Sequence, residues 1–252
     1  MVSAERIARA EQLAPYFEAQ LRFAQRMAEL TGSSLGDMAF QHTNLNRRFG
    51  LGFAGIVPPS EAWLDYAARL EAEADLSGQL RLTVAMFEAS PEELAPLPHQ
   101  RGFGCFAYDP PKDDGVVRIH FFNFDTDNQG GPLASSKLGR RRAELAAMIA
   151  DIRARHSDVR TIRGASWLYN LEAYRRIFPP DYGASRQLMG GPVHLTGTSS
   201  WGQLIDSRGA IRSAVRDALL ANLAELDPRE PWTAFPHRVL GVSAPIETFV
   251  RF

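Results

Sequence analysis

Cysteine is nearly absent from this chain. Cys105 stands alone, which excludes an intramolecular disulfide and a thiolate metal cluster. Lysine is scarce as well: Lys112 and Lys137 are the only two, so the basic residues are almost all arginine. That bias suits fork-like recognition of carboxylate or phosphate, and it equally suits a GC-rich coding sequence. No apolar run approaches the roughly 18 residues of a spanning helix. The amino-terminal stretch is broken by Glu5, Arg6, Arg9 and Glu11 and lacks the apolar centre of a secretory leader, so the expected location is cytoplasmic. A net charge of −1 offers no field for nucleic acid or an anionic membrane, and neither is expected as a partner.

Common catalytic signatures are missing too. No GxxxxGK[ST] loop is present, and the letters of GxSxG at Gly32–Gly36 and of GxGxxG at Gly50–Gly55 follow no strand that the pattern predicts, so neither reads as a nucleophile elbow or a dinucleotide strand-turn-helix. The histidines at 42, 99, 120, 156, 194 and 237 show no HxxxH or HxH spacing, and no metal site is expected.

What is present is an ordinary globular composition, 45% hydrophobic and 23% charged over 252 residues, enough for a sizeable core. Residues 4–30 carry Leu13, Phe17, Leu21, Ala24 and Ala28 at helical spacing, with Pro15 expected to kink the helix or split off its first turns. Residues 37–57 read as an ordered, irregular loop. Ser60 caps a helix bearing Trp63, Ala67, Leu70 and Ala74, and a further helix spans about 77–89. From Gly102 the pattern changes. An aromatic strand over 103–108, a turn over 109–115 and β-formers over 116–124 predict a hairpin. A helix at about 135–156, a strand at 159–163, a short helix at 168–178, a strand at 193–196, a helix at 208–226 and a strand at 238–242 follow. This order predicts an α+β fold: a central mixed β-sheet flanked by helices, in a single domain of 1–252. Residues 1–98 form its helical N-terminal part, and 99–252 form the sheet core with a C-terminal extension.

The chemistry-bearing stretch runs from Ile119 to Tyr182. Its strand ends at Asn123-Phe124-Asp125, and Gln129, Gly130 and Gly131 precede the helix. A strand-loop-helix junction of this kind points amides outward at an anion, although it equally serves as a plain connection. The hairpin, the glycine-bearing loop, the amphipathic helix, the strand and the short helix around Asn170 and Tyr174 together resemble the core of the GNAT superfamily of acyl-CoA-dependent N-acyltransferases. The likeness covers about residues 102–182; the loop at Asp127–Pro132 lacks both the leading Gln/Arg and the final small residue of the family's Q/R-x-x-G-x-G/A pattern, and Arg47–Gly52, which matches it by letters, precedes any predicted strand.

The resemblance implies an acyl-CoA or acyl carrier protein thioester as donor and a small-molecule amine or hydroxyl as acceptor. It implies that Gln129, Gly130 and Gly131 hold pyrophosphate and that the following strand splays from its neighbour to admit the pantetheine arm. Asn170 is then placed beside that arm, amides near Asn123 polarise the carbonyl, and Tyr174, or Tyr169 in second place, protonates the thiolate. A free phenol, with a pKa of about 10, is matched to that leaving group.

His120 reads either as a general base or as a hydrogen-bonded sheet histidine. Trp167 is a pocket wall or a core plug, and Cys105 is expected to be buried and inert. His42, Asn44 and Arg47 are where substrate selectivity is expected, although local side-chain to backbone bonds explain the same residues. Two other readings stay open. One is a hydrolase or lyase built on His42, His120 or His194 with Asp125, with or without a metal. The other is a non-catalytic binding protein with a pocket lined by Trp167 and Trp201.

Overall fold

Ser3 opens the first helix by accepting the Arg6 amide, and Gly32, at φ 69°, closes it through its N–H to Ala28. Between them α1 (Ala4–Thr31) is one continuous helix, so Pro15 does not split off its first turns. Proline costs a helix interior about 3 kcal/mol. Burying Leu13, Phe17 and Leu21, each fully enclosed here, offsets that at about 1.5–3 kcal/mol apiece.

The computed structural model describes residues 3–54, 57–91, 101–112, 114–125, 127 and 130–252. After α1 come α2 (Leu35–His42), α3 (Leu45–Arg48), α4 (Glu61–Ala72) and α5 (Leu76–Ala89). The strands β1 (Arg101–Phe103), β2 (Phe106–Tyr108) and β3 (Val116–Phe121) follow, then α6 (Leu138–Arg155) and β4 (Thr161–Ser166). A 3-10 turn over Trp167–Asn170 leads to α7 (Glu172–Arg175), α8 (Pro180–Ala184) and β5 (Gln187–Leu188). The chain ends through α9 (Thr198–Trp201), α10 (Ser213–Asn222), β6 (Leu240–Pro245) and α11 (Glu247–Val250).

Contacts divide the chain into two compact units, Met1–Leu94 with Gly190–Arg238, and Ala95–Met189 with Val239–Phe252. In the first, the helical N-terminal part takes in the 190–238 segment. Its core gathers Phe17, Phe23, Phe49, Trp63 and Tyr66 with Trp201, Leu219 and Phe235. Trp201 packs edge-on against Phe23 and Phe235, at 5.4 and 4.8 Å between ring centroids.

The second unit holds the mixed sheet, in the order β1-β2-β3-β4-β6-β5, with helices packed against it. Only the β3–β4 pair is parallel; every other neighbour is antiparallel. Alternation along β3 sends Val117 and Ile119 to the buried face and Arg118 to the exposed one. The buried face meets Leu145, Met148, Ile149 and Ile152 of α6. Together these elements make an α+β fold with a central mixed sheet flanked by helices.

Several elements differ from their sequence expectation. The 37–57 stretch contains α2 and α3, because Ser34 caps Asp37 and the polar residues turn inward as hydrogen-bond partners. The aromatic run at 103–108 folds back on itself at Gly104, where φ is 59°. Residues 192–194 form a 3-10 turn, and the short strand that lies beside β6 on the side away from β4 is 187–188 instead. The 168–178 helix is interrupted at Leu171, where ψ is 127°.

Candidate functional site

The sheet diverges at one place. β3 and β4 pair only at Val116↔Thr161, Val117↔Ile162 and Arg118↔Arg163. Beyond that point Ile119, His120 and Phe121 continue on β2, while Gly164, Ala165 and Ser166 continue on β6. A wedge therefore opens between the carboxyl ends of two parallel neighbours. The Arg118 and Cys105 carbonyls accept the Asp109 and Phe122 amides, which sets which residues of β3 exchange bonds with β2. The intervening Phe121 N–H is turned away from β2, toward the wedge, where no ladder partner faces it.

On the core side the wedge is backed by tyrosines. A Cβ on Gly164 would lie 2.2 Å from the Tyr169 hydroxyl and 2.7 Å from that of Tyr182, so only glycine permits this approach. Tyr169 comes from the 3-10 turn, Tyr174 from α7 and Tyr182 from α8. The Tyr169 and Tyr182 hydroxyls are 3.2 Å apart, and Tyr174 lies edge-on to Phe121 at 5.2 Å. Burial pushes all three phenols well above their ordinary range. At 1% and 3% exposure, Tyr169 and Tyr174 are enclosed by protein, and the match between a free phenol and a thiolate no longer holds for them. Trp167 is buried, and the Asn170 side chain closes its own turn on the Trp167 carbonyl at 2.7 Å.

The opposite face of β3 is polar. His120 Nε2 lies 2.8 Å from Asp109 Oδ2, both side chains about 30% exposed to solvent. His120 pairs across the hairpin with Ala107, which makes Asp109 its diagonal neighbour. An Nε2–H donated to Asp109 leaves the Nδ1 lone pair free to accept a proton, with the carboxylate steadying the charge that results. Sequence reasoning placed Asp109 only in a turn. The hairpin register was the signal that links it to His120.

The loop expected to cradle an anion is occupied by the protein's own carboxylates. Asp125, 1% exposed, meets Lys137 at 3.1 Å and Arg141 at 3.4 Å. Asp127 takes Lys137 at 2.5 Å and Arg140 at 3.3 Å, and Glu144 takes Arg141 at 2.8 Å. Lys137 also donates to the Gly130 carbonyl, and the Gly131 carbonyl accepts the Ala134 amide. A phosphate arriving here meets two anions. Asn123 is exposed at the strand end, and Gln129 lies outside the described residues. Cys105 is buried, accepts a hydrogen bond from Arg141, and has its thiol pushed up by burial.

His42, Asn44 and Arg47 belong to the helical unit. Asn44, fully buried, accepts from Tyr16 at 3.0 Å and donates to the Gly197 carbonyl at 3.2 Å. The His42 carbonyl accepts from Trp201 Nε1, and burial pulls the imidazole down. Asn46 donates to the Leu51 and Gly52 carbonyls, so local side-chain to backbone bonds do order this stretch.

His120 pairs with Asp109, while Asp125 is held in the Lys137–Arg141 network. Among the described residues no three His, Cys, Asp or Glu side chains gather as a metal site, and no helix is long and apolar enough to cross a membrane. No family model, no curated protein and no solved structure matches the chain.

Proposed function

We propose that the sheet unit is an acyltransferase core of the GNAT type, which takes a pantetheine thioester into the wedge between β3 and β4. The observation that carries this reading is the three-pair parallel ladder and the divergence after it, with the His120–Asp109 pair on the diverging half of β3. The wedge suits an amide-bearing pantetheine arm, because strand edges offer it N–H and C=O partners. The Gly130–Gly131 loop does not fit a pyrophosphate as it stands, and no step is assigned to it.

His120 Nδ1 takes the proton from an amine or hydroxyl acceptor as that atom attacks the thioester carbonyl, and Asp109 stabilises the imidazolium. The Phe121 N–H points at the carbonyl oxygen as charge develops there. The C–S bond then breaks, and His120 passes the same proton to the departing sulfur, so the proton count balances without an ionised tyrosine. Tyr174, the acid implied by the family resemblance, serves in this reading as part of the wall behind the wedge.

The test is thiol release from acetyl-CoA and acetyl-pantetheine against a panel of small amines and alcohols. Acceptor-dependent release is expected, falling about a hundredfold to ten-thousandfold in His120→Ala and in Asp109→Asn. Equal release by wild type and both variants, or no release from either donor, overturns the reading.

A further inference from the structure

The open face of the sheet carries two arginines at the apex of the wedge. Arg118 of β3 and Arg163 of β4 are both exposed, and they are the last pair before the strands part. Neighbouring strands lie about 4.8 Å apart, so the two side chains leave the sheet side by side. Among the described residues neither guanidinium forms an ion pair or donates a hydrogen bond. Arg101 and Arg155 of the same unit, by contrast, share Asp151 at 3.0 and 2.8 Å. The acid beside Arg118 in the ladder is Asp109. Its amide donates to the Arg118 carbonyl, and its carboxylate sits on His120 at 2.8 Å.

Like charges side by side on adjacent strands work against the sheet. Here they stand where the wedge begins, one pleat from the His120–Asp109 pair. His120 is two residues beyond Arg118 on the same face, a rise of about 6.6 Å. Past it the column turns apolar: the His120 ring meets Phe122 at 6.0 Å, and Phe122 stacks on Phe124 at 5.2 Å. The column is therefore polarised, cationic at Arg118 and aromatic beyond His120. On the other side of Arg163, Ser243 of β6 is exposed and adds a hydroxyl. Two guanidiniums held by no acid present planar forks, which grip the oxygens of a carboxylate or a phosphate.

We infer that the acceptor is a small amine or alcohol that also carries an oxyanion group, carboxylate or phosphate, held by Arg118 and Arg163 while its nucleophilic atom reaches His120 Nδ1. Both arginines are then specificity-determining residues, and neither moves a proton. The inference rests on the acyl-transfer reading for what happens to the amine or alcohol, and on the sheet face alone for where the anion binds.

Three acceptors of similar length separate the charge: propylamine, β-alanine and O-phosphoethanolamine. Each is assayed with the whole chain for thiol release from acetyl-pantetheine, a donor without phosphate. At least one anionic acceptor shows a lower KM than propylamine; O-phosphoethanolamine alone assigns a phosphate, and β-alanine alone a carboxylate. Arg118→Gln and Arg163→Gln each raise that KM about threefold to tenfold, keep kcat within about threefold, and leave the KM for propylamine unchanged. A Tm at or above that of wild type shows that each variant is folded, since the like-charge contact is relieved. Arg155→Gln, on α6 behind the buried face and already paired with Asp151, leaves all three KM values unchanged. Binding is read without any thioester from the Arg118 and Arg163 Nε–H signals in NMR, which shift saturably with the anionic amine and not with propylamine. Those shifts without thiol release from any acceptor remove the acyl-transfer reading and leave the anion site standing. Equal KM for all three acceptors, or no shift at either arginine, overturns the inference and leaves that reading untouched.

Discussion

Gly164→Ala tests whether the tyrosine cluster is pressed against the wedge. The added methyl would lie 2.2 Å from the Tyr169 hydroxyl, 2.7 Å from that of Tyr182 and 3.1 Å from Tyr169 Cζ. Carbon contacts settle near about 3.5–4.0 Å, so the phenol must retreat by more than 1 Å or so. It has little room, because Tyr174, Phe178 and Tyr182 surround Tyr169 at 5.0, 5.8 and 6.1 Å between ring centroids. Overpacking of this kind costs about 1–3 kcal/mol, and loss of the Tyr169–Tyr182 hydrogen bond adds about 1. Lower entropy of the unfolded chain returns about 0.4–1 kcal/mol. The net loss is roughly 1–3.5 kcal/mol, a fall in Tm of about 2–14 °C for a chain of this size. Urea denaturation measures it, in wild type and again on a Tyr169→Phe background. Removing the hydroxyl relieves the contact, so the glycine substitution should cost at least about 1 kcal/mol less there. An unchanged urea midpoint, or the same cost in both backgrounds, refutes the packing argument.

Three further outcomes follow from the same contacts. Asp125→Ala strands Lys137 and Arg141, which are 6% and 1% exposed, but each keeps a second acid in Asp127 or Glu144. The expected loss is about 2–4 kcal/mol by chemical denaturation, at or below the range for breaking a buried pair. Restoration of that loss by added phosphate would show instead that the loop is an anion cradle. Tyr66, Tyr108, Tyr169, Tyr174 and Tyr182 all have folded-state values raised by burial, that of Tyr108 to about 12. The unfolded chain therefore releases protons first. Stability should hold below pH 10 and fall above it by up to ~1.4 kcal/mol per pH unit for each such tyrosine, read by alkaline titration of unfolding. Tyr174→Phe should leave acyl transfer within about threefold of wild type, because a wall residue has no part in proton transfer; a loss as large as that of His120→Ala would restore Tyr174 as the acid.

The sheet unit was legible because its signals are local. The β-formers read over 116–124 contain β3, the stripe at Leu145, Ile149 and Ile152 marks α6, and the strand read at 159–163 overlaps β4, which runs on to Ser166. The helical unit was harder to read, since α2 and α3 are short and hold Asn44, Asn46 and Arg48 inward through bonds to residues distant in sequence. Spacing alone gives no warning of such bonds. Glycines before a helix suggest an anion cradle, but which way Asp125 and Asp127 point depends on Lys137, Arg140 and Arg141 at the start of α6, and spacing does not give that. The burial of Tyr174 was not legible for a similar reason, because its aromatic neighbours Phe121, Tyr169 and Phe178 converge only in three dimensions. The His120–Asp109 pair needed the hairpin register, which a turn of that length does not reveal.

The wedge itself is tested most directly by NMR of the backbone amides and histidine rings as acetyl-CoA or acetyl-pantetheine is added. The account predicts saturable shifts centred on the Phe121 and Ala165 amides and the His120 ring, with Leu70 of the helical unit unmoved. Shifts confined to the Gly130–Gly131 loop, or none at the β3–β4 divergence, would contradict it.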